Sequence, residues 1–419
     1  MNVFSIIILV ALILEFTLEL VGNQLNLSVL KLELPPTLEG LYKAEDYRKS
    51  QEYIRATTRF GLIGNSFTLI ILLAFWFSGG FNWFDQVVRA WNFIPLISGM
   101  VYIGILFFAY SFLKLPFSIY GTFVIEERFG FNRTTTRTFF LDRVKGLGLV
   151  LLLGGLLLAG ILALFEYVDL YAWLYCWAAV VIFSLAMQYM APTWIMPLFN
   201  KFTLMESGEL KEAILRYALS VNFPIKNVYV MDGSKRSSKS NAFFTGFGRN
   251  KRIALFDTLI AQHTVPEIVA VLAHEVGHYK KNHVLQGILV NILNTGIIFF
   301  LLSLFLGSAD LYLAFYMRQE SIYTGLLFFG LLYTPIELVL SIIIQMVSRK
   351  REYEADRFAA ETIDEPRNLI DALKKLSATN LSNLTPHPFY VFLNYSHPPL
   401  MQRIQAIRVA KHKNRVALG

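Results

Sequence analysis

The chain has 419 residues, 55% of them hydrophobic and 15% aromatic, with only 16% charged. Soluble domains carry nearer a quarter charged residues, so the composition excludes an ordinary soluble globular protein and indicates a polytopic membrane protein. The net charge of +8 is spread through loops, which reads as membrane topology and argues against nucleic acid as a partner; the single cysteine, Cys176, excludes an intrachain disulfide and a cysteine zinc site.

A bilayer-spanning helix needs about 20 predominantly apolar residues. In chain order, residues 3–20, 62–81, 93–118, 147–165, 170–190, 284–306 and 322–347 meet that requirement. The first has no basic leader and no small-residue cleavage site, so it reads as a retained span and not as a signal peptide. Lys31, Lys43, Arg48, Lys49, Arg55 and Arg59 fill the loop after it, and Arg128, Arg133, Arg137, Arg143 and Lys145 fill the loop before the fourth span. The opposite side holds little beyond Arg89 and Arg318. The basic loops are therefore expected in the cytoplasm, with Gly248 on that side and Ser308 on the other. Four ionisable residues, Glu15, Glu19, Lys114 and Glu337, fall inside spans, where such groups either pair with neighbours or face an aqueous chamber.

The organisation that follows is five spans over 1–190, a catalytic segment over 191–283, two spans over 284–347 and a second catalytic segment over 348–419. In the first polar segment, "VYVMDGS", "NAFFTGF" and "RIALFD" are short β-rich runs separated by turn residues, so a small sheet is expected. An exposed edge of it can hold an extended peptide through main-chain hydrogen bonds, with Asn241 and Ala242 as the contact.

"TVPEIVAVLAHEVGHYKKNH" follows and is expected to run as one helix, capped by Thr264 with Glu267 and with Pro266 in its first turn. His274 and His278 are one turn apart, so both imidazoles can reach one zinc ion while Glu275 turns towards an activated water as general base. The flanking His263 and His283 lack the spacing to join them and are expected at the surface. A catalytic zinc needs a third protein ligand. "SRKREYEADRFAAE", after the last span, offers Glu352 for that place, with Asp356 one turn later as hydrogen-bond partner of a ligand histidine. Glu354 faces away from that pair by helical geometry.

"AHEVGH", "SRKREYEAD" and "YSHPPLMQRI", in that order, resemble the integral-membrane zinc metalloproteases of the CAAX prenyl protease 1 type. "TFVIEERFGFNRTT", "APTWIMPLFNKF" and "SKSNAFFTGFGRNKRIALFDTLI" extend the resemblance over most of the chain. It implies an all-α membrane protein of about seven helices around a water-filled chamber, with a zincin-like α+β catalytic unit. It implies one Zn²⁺ on His274, His278 and Glu352, Glu275 as base, Asp356 beside the ligands, and His397 with Arg403 as oxyanion donors. Both side chains can donate hydrogen bonds to developing negative charge. The implied substrate is a peptide or lipidated peptide, cut near its C-terminus at the cytoplasmic face of the membrane. No clear C-terminal retention signal is found, so a bacterial inner membrane is favoured over the endoplasmic reticulum. The rival readings are a heat-shock-type quality-control protease, whose chains carry fewer spans before the motif, and a non-catalytic membrane protein with a vestigial site.

Overall fold

The computed structural model describes residues 1–35, 43–168, 170–225, 227–245 and 252–417. Seven of the described helices are long and apolar enough to cross a membrane: Val3–Ser28, Ala44–Phe77, Pro95–Glu126, Thr136–Tyr167, Ala172–Phe199, His283–Phe305 and Ile322–Thr362. Their number and order are those expected, but several run well past the bilayer. The seventh is a single helix of 41 residues, about 60 Å long and twice the hydrocarbon thickness. Its polar extension, "SRKREYEADRFAAE", is rich in strong helix formers and contains neither Gly nor Pro, so nothing stops the helix where it leaves the apolar layer.

Between 6% and 22% of each span's apolar window is buried within the protein, which leaves most of each span's surface free of protein contacts. Glu15 and Glu337, on the first and seventh spans, are exposed and close enough to interact electrostatically. The other two intramembrane charges are paired: Asn65 donates to Glu19, and Lys114 Nζ donates to the Gly64 carbonyl at 3.3 Å. An aromatic cluster lies at the end away from the polar segments, with Phe315 and Phe328 stacked at 3.9 Å and Trp76 Nε1 donating to the Ala314 carbonyl at 2.8 Å.

The polar segments fold into one unit. Its core joins Ile214, Leu255, Leu259, Ile268 and Leu272 from before the sixth span to Ala359 at the polar end of the seventh helix and Leu369, Ile404 and Ile407 after it. A four-stranded sheet is ordered β1-β2-β4-β3, where β1 is Phe202–Leu204, β2 Val228–Met231, β3 Ala242–Thr245 and β4 Arg252–Phe256. β2 and β4 are parallel, the other pairs antiparallel, and β3 is an edge strand.

Two polar locks tie this unit to the membrane helices. Arg236 makes a bidentate pair with Asp142 at 2.7 and 2.9 Å, the geometry that gives a guanidinium its strongest hydrogen bonds. Lys239 lies 3.1 Å from Glu126, 2.8 Å from the Tyr53 hydroxyl and 4.3 Å from the centre of the Phe131 ring. Gly248 lies outside the described residues, so exposed Lys201 serves as the probe of the basic face and exposed Ala309 as that of the other. A cysteine at Lys201 is expected to react with an impermeant maleimide only after the cytoplasmic face is opened, and one at Ala309 in intact cells; fully buried Cys176 stays silent. The reverse pattern would invert the topology.

Candidate metal centre and active site

The helix Val265–Lys280 begins with the expected capping box, Thr264 and Glu267 each bonding the other's backbone amide. Lys375 pins Glu267 at 2.7 Å. His274 and His278 project from one face towards the seventh helix, where Glu352 waits 3% exposed. The approach depends on the glycine between them. A Cβ at Gly277 would stand 3.0 Å from both Cα and the carbonyl oxygen of Ala355, closer than ordinary van der Waals contact, so a side chain there requires the facing backbone to give by a few tenths of an ångström.

The three residues place their ligand atoms within 4.8 Å of one another. His274 Nε2 lies 3.2 Å from His278 Nε2 and 3.4 Å from Glu352 Oε2, and His278 Nε2 lies 3.3 Å from Glu352 Oε1. A tetrahedral ion with bonds of about 2.0–2.1 Å spaces its ligand atoms by about 3.3–3.4 Å. Glu352 Oε2 is buried without a hydrogen bond, although His397 Nδ1 stands 2.8 Å away and Arg403 Nη1 3.7 Å away. Burying a carboxylate is costly, and a cation held between it and the two imidazoles would offset that cost. The donor set therefore fits a zinc ion.

Asp356 holds His274 from behind, its Oδ1 2.9 Å from Nδ1. Arg403 in turn grips Asp356 through Nε at 2.8 Å and Nη2 at 2.6 Å, leaving Nη1 turned towards Glu352. Burial alone would push the His274 imidazole down. Hydrogen bonds to Asp356 and Glu352 overcome it and hold His274 up at about 9. Half-buried Glu275 follows His274 on the helix, close enough to Arg403 to be felt by it. His397 is 64% exposed and so open to a substrate.

Asn241 and Ala242 lie at the start of β3. There the Asn380 side chain makes two hydrogen bonds of 3.0 Å, accepting from the Ser240 amide and donating to the Ser240 carbonyl. Asn380 thus imitates a neighbouring strand at the end of the edge and holds Asn241 in place. The sequence carries no signal for this contact, because the two partners are far apart in the chain.

Two expectations are overturned. His263 and His283 are 8% and 5% exposed and not at the surface. The zinc helix also stops at Lys280: Asn282 takes φ +57°, a left-handed conformation that asparagine tolerates, and the chain turns so that His283 begins the next helix. The turn carries His283 back against His278, at 3.0 Å between their Nδ1 atoms. His263 instead folds onto its own preceding turn, Nδ1 3.2 Å from the Leu259 carbonyl.

A metal-ready triad on a helix pair, one member of which is itself a span, within seven membrane helices, defines an integral-membrane metallopeptidase. Family models agree: "CAAX prenyl protease N-terminal, five membrane helices" matches residues 24–201 and "Peptidase family M48" matches 205–411. The chain is 38% identical to the CAAX prenyl protease 1 homolog of Arabidopsis thaliana, over 91% of this chain and 92% of that one. It is 35% identical to CAAX prenyl protease 1 of Saccharomyces cerevisiae, over 91% and 90%. The crystal structure of S. mikatae Ste24p superposes with a TM-score of 0.92 at 33% identity, covering 97% of this chain and 99% of that one. The chain belongs to the CAAX prenyl protease 1 family of M48 metallopeptidases.

Proposed function

We propose that this enzyme is a zinc-dependent endopeptidase that cuts near the C-terminus of membrane-associated, prenylated CAAX-type substrates at the cytoplasmic face. The observation that carries the reading is the spacing of His274, His278 and Glu352, which suits a tetrahedral ion and leaves room for a fourth ligand. Zinc held there supplies Lewis acidity, polarising the scissile carbonyl and acidifying a water. Glu275 takes the proton from the attacking water and passes it to the leaving amine. His397, exposed at the rim, donates to the oxyanion, and Arg403 adds positive charge through Nη1 while Asp356 holds the rest of its guanidinium. Asn241 and Ala242 receive the substrate main chain along the open edge of β3.

The substrate class rests on the names of the relatives, the C-terminal CAAX motif being what their enzymes are named for. A cell membrane and an endoplasmic reticulum membrane would both turn the basic face to the cytoplasm. A farnesylated CAAX peptide is expected to be cleaved with a higher kcat/KM than its unprenylated twin, and neither to be cleaved after zinc is chelated. Equal cleavage of the two would remove prenyl recognition from the proposal, and chelator-resistant cleavage would remove the metal.

The raised position of His274 has a measurable consequence. Without metal the imidazole holds a proton below about pH 9, and zinc must displace it. Zinc affinity is therefore expected to rise with pH from neutrality towards about 9, with a proton released on binding at pH 7. Calorimetry in buffers of different ionisation enthalpy reads that release directly, and a flat profile would contradict it.

A further inference from the structure

We infer that His283 and Glu354 form an orienting pair for the zinc ligand His278, fixing which of its ring nitrogens faces the metal. The inference rests on the zinc reading above and goes beyond it, since neither residue belongs to the ligand set.

The contacts form a chain. His278 Nδ1 lies 3.0 Å from His283 Nδ1, and His283 Nε2 lies 3.1 Å from Glu354 Oε2. The His283 side chain is 4% exposed, so water does not compete for its nitrogens, while Glu354 is 39% exposed at the outer end. Hydrogen-bond directions along this chain are set by its last member. An ionised carboxylate only accepts, so His283 Nε2 is the donor to Glu354. A neutral imidazole has one N–H, so His283 Nδ1 is left as an acceptor. The proton between the two rings must then sit on His278 Nδ1. That leaves His278 Nε2 as the bare lone pair, and this is the atom facing His274 and Glu352.

The other ligand histidine is served in the same way by a shorter route, Asp356 accepting directly from His274 Nδ1. Both carboxylates ride on the helix that carries Glu352, so one stretch of five residues from Glu352 to Asp356 supplies a ligand and the outer partner of each histidine. Among the described contacts no carboxylate reaches His278 Nδ1, and the turn at Asn282 places a second imidazole against it. An outer partner of this kind fixes tautomer and ring orientation, and losing one typically weakens metal binding by about 10–100-fold.

The test uses the full-length protein in detergent, with His283→Ala, Glu354→Ala and Glu354→Gln beside the parent. Three quantities are read: zinc affinity by competition with a chelator, the visible spectrum of the cobalt-substituted protein, and the melting temperature of the metal-free protein. His283→Ala is expected to weaken zinc by about 10–100-fold and to alter the cobalt bands. Glu354→Ala acts in the same direction, and Glu354→Gln, whose amide oxygen still accepts from His283, recovers most of the loss. The metal-free melting temperature of the exposed Glu354 variants stays that of the parent. Parental zinc affinity and unchanged cobalt bands in both alanine variants would overturn the inference, as would a glutamine variant no better than the alanine one. Failure of the parent itself to bind zinc is a different result, and it would remove the zinc reading on which the inference stands.

Discussion

Replacing Glu275 by glutamine is expected to lower turnover by about 10²–10⁴-fold with zinc still bound. The amide matches the carboxylate in size but cannot take a proton from water, and Glu275 is not among the three residues whose atoms converge on the metal position. Its helix is held by the capping box and by the Glu267–Lys375 pair, neither of which the substitution touches. Zinc content and turnover should be measured on one sample. A variant keeping more than about a hundredth of the parental rate would take Glu275 out of proton transfer.

The second large effect concerns the third ligand. Glu352→Ala removes one of three protein ligands and is expected to strip zinc by more than the ~100-fold that bounds the loss of an outer partner, abolishing activity with it. Glu354→Ala, two residues away, keeps stoichiometric zinc when the metal is saturating. The difference follows from placement, because Glu352 is buried against both imidazoles, whereas Glu354 meets His283. Metal analysis at one buffered free-zinc level, high enough to saturate the Glu354 variant, separates the two variants. Equal loss from both would mean that the ligand has been misassigned.

The seven spans were legible because runs of about 20 apolar residues have almost no other use, and the basic loops between them orient the set. His274, Glu275 and His278 were legible because their relation is local, a single helical turn. So was the cap formed by Thr264 and Glu267. His283 was misread for a conformational reason: continued as a helix, five residues beyond His278 points well away from it, and only the left-handed Asn282 brings it back. "K-N-H" contained that turn in outline, since asparagine is among the residues that accept positive φ. Asn380 and the reach of Glu354 to His283 were not legible at all, because each is a contact between segments that only the tertiary fold brings together. Low burial of the spans was foreshadowed by Glu15 and Glu337, although their surroundings could not be chosen from sequence.

Glu352 belongs to a rod that is also anchored in lipid, and a rod invites comparison with a lever. From Pro335, inside the membrane stretch, to Glu352 is about 25 Å at 1.5 Å per residue. Were the rod to pivot near that proline, a tilt of about 2° would swing the carboxylate by about 1 Å, against a tolerance of about 0.2 Å for a ligand distance. Bilayers change thickness with composition and spans answer by tilting, so such a pivot would make metal binding hostage to the lipid. The close approach of Gly277 to Ala355 would put the fulcrum within one turn of Glu352. With the pivot there, the short arm carries the ligand and the long arm lies in the bilayer. Tilting about that point would sweep the far end near Ile322 and leave the ligand carboxylate nearly still.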